Sequence, residues 1–247
     1  MYSLTFNKDK SKVITFEDDQ DNTNFLLNGN YINVSNVEKH LGILIGKDVN
    51  KLNILNSVTD LTCMSNYLCS VFSGVQFDVK YQLFKTFCMP LYGSVLWDYS
   101  NSNMKCFYSR WRSCIKKLLR ISYMCHGNLL HWIVNDLPVD MQLYQRFIKF
   151  FKGTYNSSNC YVKRCALVAT NGSGSAVSNN ITVLSNLFHL PRYRLFEAKV
   201  VSESNIETEY EEIIAGNVRD MLSLRDSRNS LFTYSELNDM ISYTCSS

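Results

Sequence analysis

The sequence predicts an α+β fold, with a small N-terminal antiparallel β-meander followed by a mainly helical remainder. Short β-branched and aromatic runs at 12–16, 24–27, 31–34 and 41–45 are separated by turn residues, the pattern of short strands. From residue 52 onward, apolar residues recur every third or fourth position, which is the helical period. A chain of 247 residues, 46% hydrophobic and 19% charged, has the composition of a globular protein able to build a core.

The elements follow in order. Asn28-Gly29 between two strand-like runs is a strong hairpin signal, because both residues tolerate positive φ. The acidic segment Glu17-Asp18-Asp19-Gln20-Asp21 is expected to be an exposed loop. Leu52, Leu55, Val58, Leu61, Ser65, Leu68 and Phe72 predict a first amphipathic helix. Asp78 is placed to cap a second, which runs through Met89 and ends at Pro90.

The clearest helix has Met104, Phe107, Trp111, Ile115 and Leu118 on one side, with Lys105, Arg112, Lys116 and Arg120 on the other. Its expected length of about 19 residues corresponds to about 28 Å. Pro138, just inside a helix start behind Asp136, opens a fourth that Gly153 closes. That helix carries Leu143, Tyr144, Phe147, Ile148 and Phe151, with Arg146, Lys149 and Lys152 beside them. Residues 170–175 read as a polar loop. Ile181 to Leu190 reads as a short helix before Pro191, and the acidic stretch Glu203 to Ile214 as helical.

Composition excludes several classes. No apolar run reaches about 18 residues, so no membrane span is expected. Met1 to Phe6 lacks the basic-then-apolar pattern of a signal peptide. Nine cysteines without a disulfide framework fit reduced thiols. A cytoplasmic or nuclear location, without secretion, is therefore expected.

The net charge of +3 conceals a division. Between Asn103 and Cys165 there are eleven Lys/Arg against two acids, a balance of +9. Between Glu197 and Ser247 there are ten acids against four bases, a balance of −6. A basic middle of this kind suggests a polyanionic partner. Lys105, Arg112, Lys116, Lys117, Arg120, Arg146, Lys149 and Lys152 are the candidate nucleic-acid-binding residues. Cations at helical spacing can track a phosphate strand, and Tyr108 could stack on a base. Trp111 could do the same, although its position favours the core.

Several motifs together resemble a known family. Phe6-Asn7-Lys8-Asp9-Lys10-Ser11-Lys12-Val13-Ile14-Thr15-Phe16, Leu27-Asn28-Gly29-Asn30-Tyr31-Ile32 and Glu38-Lys39-His40-Leu41-Gly42-Ile43-Leu44-Ile45-Gly46 occur in that order. Further on come Lys80-Tyr81-Gln82-Leu83-Phe84-Lys85, Leu91-Tyr92-Gly93-Ser94-Val95-Leu96-Trp97 and Arg112-Ser113-Cys114-Ile115-Lys116-Lys117-Leu118-Leu119. Cys125-His126-Gly127-Asn128-Leu129-Leu130 follows. The series resembles the end of the palm, the thumb and the post-thumb region of a reverse transcriptase from a non-LTR (LINE-type) retrotransposon, over residues 6–190.

The resemblance implies a division into a palm remnant (1–50), a thumb-like helical bundle (51–122), a post-thumb helical region (123–196) and an acidic, partly ordered tail (197–247). It implies that Lys10 matches the palm lysine thought to assist the leaving pyrophosphate, where a protonated amine can both donate a proton and neutralise charge. Lys8 stands where the family often has proline. Leu41-Gly42 matches the primer-gripping strand-turn, where glycine permits close backbone approach. The family's metal-binding carboxylates belong upstream of Phe6, so this chain is expected to be a truncated copy without polymerase activity. Mg2+ is implied only for the complete enzyme, and no cofactor is expected here. RNA, DNA or an RNA–DNA hybrid is the expected partner, with the missing polymerase half as another.

Other chemistry is disfavoured. Phe16-Glu17-Asp18-Asp19 looks like the family's catalytic box, but the polar run after Asp19 cannot form the second buried strand such a pair of metal ligands needs. Cys106, Cys114, Cys125, His126, His131, Cys160 and Cys165 form no Cys-x2-Cys or His-x3-His pair, so no metal site is expected. Cys125-His126 has no third group to orient a nucleophile. Gly172-Ser173-Gly174 lacks the strand and lysine of a phosphate loop.

Two alternatives remain open: a host-retained nucleic-acid-binding module, and a helical protein-interaction adaptor for an acidic partner. Salt-dependent binding to an RNA–DNA hybrid would favour the first of these over an inert remnant. Tight binding to an acidic protein without RNA would favour the second.

Overall fold

The computed structural model describes residues 7, 10–16, 25–27, 29–125, 127, 130–172, 174–188 and 191–192. The acidic segments 17–21 and 203–214, His126 and the region 197–247 lie outside them. The α+β class holds: short strands come first and helices follow.

The strands are β1 (Lys12–Ile14), β2 (Leu26–Leu27), β3 (Asn30–Tyr31), β4 (Asn33–Ser35), β5 (Val37–His40) and β6 (Ile43–Gly46). They form three separate two-stranded pairs. β2–β3 and β5–β6 are antiparallel hairpins, the first turning at Gly29 with φ 77°. β1 instead lies parallel to β4, with Lys12 opposite Asn33 and Ile14 opposite Ser35, so the strands do not form one continuous antiparallel meander. No side chain of these strands is fully buried; Leu26 is 59% exposed and Tyr31 68%.

The helices are α1 (Asn50–Val71), α2 (Phe77–Cys88), α3 (Asn103–Leu119), α4 (Leu130–Val134), α5 (Val139–Tyr155), α6 (Cys160–Thr170) and α7 (Ala176–Leu187). A 3-10 turn, Ser94–Leu96, sits between α2 and α3. On α1 the buried file is Ile54, Val58, Leu61, Ser65 and Leu68. It begins at Ile54 because that residue is one i,i+4 step before Val58. Leu52, six positions before Val58, falls off the file and stays exposed.

Helix ends differ from expectation in three places. Gln76, not Asp78, occupies the N-cap of α2, and Asp78 lies in the first turn, where a carboxylate still favours the helix dipole. Pro138 is the N-cap of α5, and Gly153 lies within its last turn, so the helix closes at Asn156 instead. α7 starts at Ala176, five residues before its apolar run, behind the N-cap Ser175, whose hydroxyl accepts from the Ser178 N–H. α4 and α6 fall in the 123–196 stretch expected to be helical, but no local periodicity marks them individually. Asn159 caps α6 by accepting from the Tyr161 and Val162 N–H groups at 3.0 and 3.4 Å.

One apolar core runs through these helices, from Ile54 on α1 to Leu184 on α7, so it crosses the 122/123 boundary without interruption. Phe84, Phe107, Leu143, Phe147 and Ile181 are wholly buried in it. Each such side chain contributes about 1.5–3 kcal/mol. Trp97 and Phe107 meet edge to face at 5.2 Å between centroids.

Buried polar groups tie the segment after the 3-10 turn into this core. The Asn180 side chain accepts from the Tyr99 N–H and donates to the Trp97 carbonyl, both at 2.7 Å. The Tyr99 hydroxyl lies 3.1 Å from the Ser94 carbonyl and 3.2 Å from that of Leu143.

The strands attach to the helices at β6. Asn53 on α1 pairs with both backbone groups of Leu44, accepting at 3.0 Å and donating at 2.9 Å. Ile43 packs on Gly93; a Cβ there would fall 2.4 Å from the Ile43 Cδ1. Among the described residues, no helix is long and apolar enough to cross a membrane.

Candidate nucleic-acid interface

Asn7 organises the turn that presents Lys10. Its backbone carbonyl accepts from the Lys10 and Ser11 N–H groups at 3.2 and 3.1 Å, and from the Ser11 hydroxyl at 2.9 Å. Lys10 itself is exposed. Leu41 and Gly42 are the two-residue tip of the β5–β6 hairpin and precede the strand itself, with φ 49° and 86°. A Cβ on Gly42 would meet nothing within 4 Å, so its left-handed backbone, not crowding, explains the glycine. Leu41 adopts the same region, which costs a bulky L-residue about 1–2 kcal/mol, and leaves its side chain 83% exposed.

The apolar face of α3 forms as expected; of the four cations expected opposite it, Lys105, Arg112 and Lys116 lie on the helix, whereas Arg120 lies past its end as the C-cap. Met104, Phe107, Trp111, Ile115 and Leu118 are all buried, which turns Lys105, Arg112, Lys116 and Lys117 away from the core. The helix has 17 residues, so it spans about 25 Å. Trp111 is only 3% exposed and cannot stack on a base. Its indole N–H is buried without an acceptor among the described residues. Tyr108 packs against Phe107, and burial pushes its phenol up, helped by Tyr144 and Asp140.

Most of the candidate cations hold parts of the fold together. Lys116 Nζ donates to the Tyr123 carbonyl at 2.8 Å and to that of Cys125, fixing the turn after α3. Lys117 Nζ donates to Asn66 Oδ1 on α1 at 2.7 Å. Arg120, the left-handed C-cap of α3 with φ 56°, donates to the Ser73 carbonyl.

The same carbonyl accepts from Lys80 Nζ at 2.9 Å, and Lys80 is only 5% exposed. Two cations thus meet just past the C-terminal end of α1, where the helix dipole favours positive charge. Lys80 is not legible as a buried cation in the sequence, because nothing in an isolated Lys-Tyr pair announces burial.

Arg146 reaches from α5 to the end of α2, donating to the Met89 and Pro90 carbonyls at 2.6 and 3.0 Å. Burial lowers its pKa, but a guanidinium remains charged at any ordinary pH. Lys149 is exposed and Lys152 half-buried on the same helix. Lys105, Arg110, Lys163 and Arg164 project into solvent.

Arg112 is half-buried. Its stem lies against Gly127, where an added Cβ would fall 2.6 Å from the Arg112 Cδ, and its charge acts on Asp140. Burial raises the Asp140 carboxyl above its ordinary value; the Met141 N–H and Arg112 oppose that rise. Lys85 and Asp136 form an ion pair at 2.9 Å, and the Tyr81 hydroxyl donates to the same carboxylate at 3.1 Å.

No group of three or more His, Cys, Asp or Glu among the described residues is placed to hold a metal ion. The eight described cysteines are free thiols. Cys88 is buried, and desolvation pushes its thiol up to about 12. Cys106 is exposed and Cys114 buried on α3, so the two do not face a common site.

Compared with protein-family models, curated proteins and solved structures, the chain matches none.

Proposed function

We propose that this chain binds RNA, DNA or an RNA–DNA hybrid through the basic region built on α3 and α5. We also read it as a reverse-transcriptase-like piece of a non-LTR retrotransposon that contributes binding and not polymerase chemistry. The order of its motifs supports that origin, as does the exposed left-handed Leu41 at the hairpin tip.

One observation carries the binding reading. Lys116, Lys117, Arg120 and Arg146 donate to neutral carbonyl and amide oxygens. Such bonds orient a cation without cancelling its charge. The excess of +9 between Asn103 and Cys165 therefore remains as a positive field, with Lys105 and Arg110 among its exposed members. Phosphate binding by such a surface releases counterions and weakens as salt rises.

The test is filter binding to an RNA–DNA hybrid across a salt series, with wild type and the variant K105E/R110E. Both residues are exposed, so the fold should be unaffected. The expected result is weaker binding and a log–log salt slope reduced by about 2, one per lost phosphate contact. Binding that ignores salt, or is unchanged in the variant, overturns the proposal. The origin is tested separately by the genomic DNA 5′ of the Met1 codon, where a frame encoding an aromatic-Ala-Asp-Asp box is expected.

A further inference from the structure

The α6 helix presents its apolar residues outward. Only Ala166 and Ala169 are buried, whereas Tyr161 is 77% exposed, Val168 53% and Leu167 42%. Cys165 is exposed between Tyr161 and Val168 on one file of the helix. Lys163 and Arg164 are exposed on the same helix. An apolar stripe beside two cations suits an amphipathic, acidic partner.

The chain contains such a segment. Residues 203–214 carry five glutamates and no cation, with Ile206, Tyr210, Ile213 and Ile214 at helical spacing. Its point of departure is close to α6. Arg192 donates to Thr182 Oγ1 at 2.6 Å, and its guanidinium lies 2.9 Å from where a Cβ on Gly172 would stand, two residues past the α6 end. From Arg192 to Glu203 the chain can reach about 36 Å, more than twice the roughly 16 Å length of α6. The opposite charges of the basic middle and the acidic tail add a long-range attraction.

We infer that residues 203–214 dock on the outer face of α6, with Ile206, Tyr210 and Ile213 covering Tyr161, Cys165 and Val168, and the glutamates beside Lys163 and Arg164. The occupant is this chain's own tail. The inference stands independently of the nucleic-acid reading.

The test is maleimide labelling of the full chain at low salt, with the rate at each cysteine read by mass spectrometry. Wild type is compared with I206S/Y210S/I213S. In wild type, Cys165 is expected to react about tenfold more slowly than the exposed Cys63 and Cys106, as a docked segment that opens only part of the time requires. In the variant it should react as fast as they do. The buried Cys88 and Cys114 should stay slow in both proteins, which reports that the fold is kept. Equal rates at Cys165, Cys63 and Cys106 in wild type overturn the inference. So does protection of Cys165 that survives the tail substitutions; if that protection varies with protein concentration, a second copy covers the face instead.

Discussion

The Arg146 guanidinium closes the end of α2 by donating to the Met89 carbonyl at 2.6 Å, across fifty-seven positions of sequence. A second bond, to Pro90, uses the other arm of the fork. The residue therefore belongs to stability before it belongs to any ligand. Hydrogen bonds from a charged donor contribute about 1.5–3 kcal/mol, so R146A should lower stability by about 2–3 kcal/mol. R146K should recover less than half, because an ammonium cannot span both carbonyls. Thermal melts check both. K105E, on an exposed residue, should shift stability by no more than about 0.5 kcal/mol.

Asn180 offers a sharper case. Its amide supplies the partners of the buried Tyr99 N–H and Trp97 carbonyl. N180A should leave both unsatisfied and cost about 2–4 kcal/mol. In urea titrations the midpoint should fall while the slope stays constant. A midpoint unchanged within error would show that water replaces the amide.

The Asn53 carboxamide stands in for a neighbouring strand along Leu44. N53A should release β6 without unfolding the helices. Amide hydrogen exchange should speed at Leu44 by about tenfold, as loss of about 1.4 kcal/mol of local stability requires. Amides in the middle of α3 and α5 should keep wild-type rates.

Asp140 gives a pH dependence of defined sign. Its carboxyl is raised in the folded protein, chiefly by burial. Above its ordinary value of 3.8, the folded state thus holds a proton that the unfolded state has released. Stability from this group is present at low pH and is lost as pH climbs through the folded pKa. Melting temperatures measured from pH 4 upward should fall less steeply for D140N than for wild type. Parallel curves would show that Arg112 offsets the burial completely.

The long helix faces were legible because they depend on local spacing alone. Met104, Phe107, Trp111, Ile115 and Leu118 are buried as the 3.6 period requires. α6 was illegible for the opposite reason: its buried face is Ala166 and Ala169, and its larger apolar side chains point to solvent. Its cap, Asn159, was a readable start signal that the polar neighbourhood obscured. The cations were visible as charge, but not their acceptors. Arg120 meets Ser73 forty-seven residues away, and no local pattern encodes that distance. The parallel β1–β4 pair was hidden because its three-residue strands bury no complete side chain.

That parallel pair has a consequence for the order of assembly. Lys12 and Asn33 stand twenty-one positions apart, and closing such a loop costs about 2.7 kcal/mol of chain entropy. A short ladder at about 1 kcal/mol per bond barely offsets this. During refolding, β1 should therefore zip onto β4 only after the helices have condensed, and it should be the first to peel away under denaturant. A pulse of protease early in refolding would cut between β1 and β4 while sparing α3 and α5.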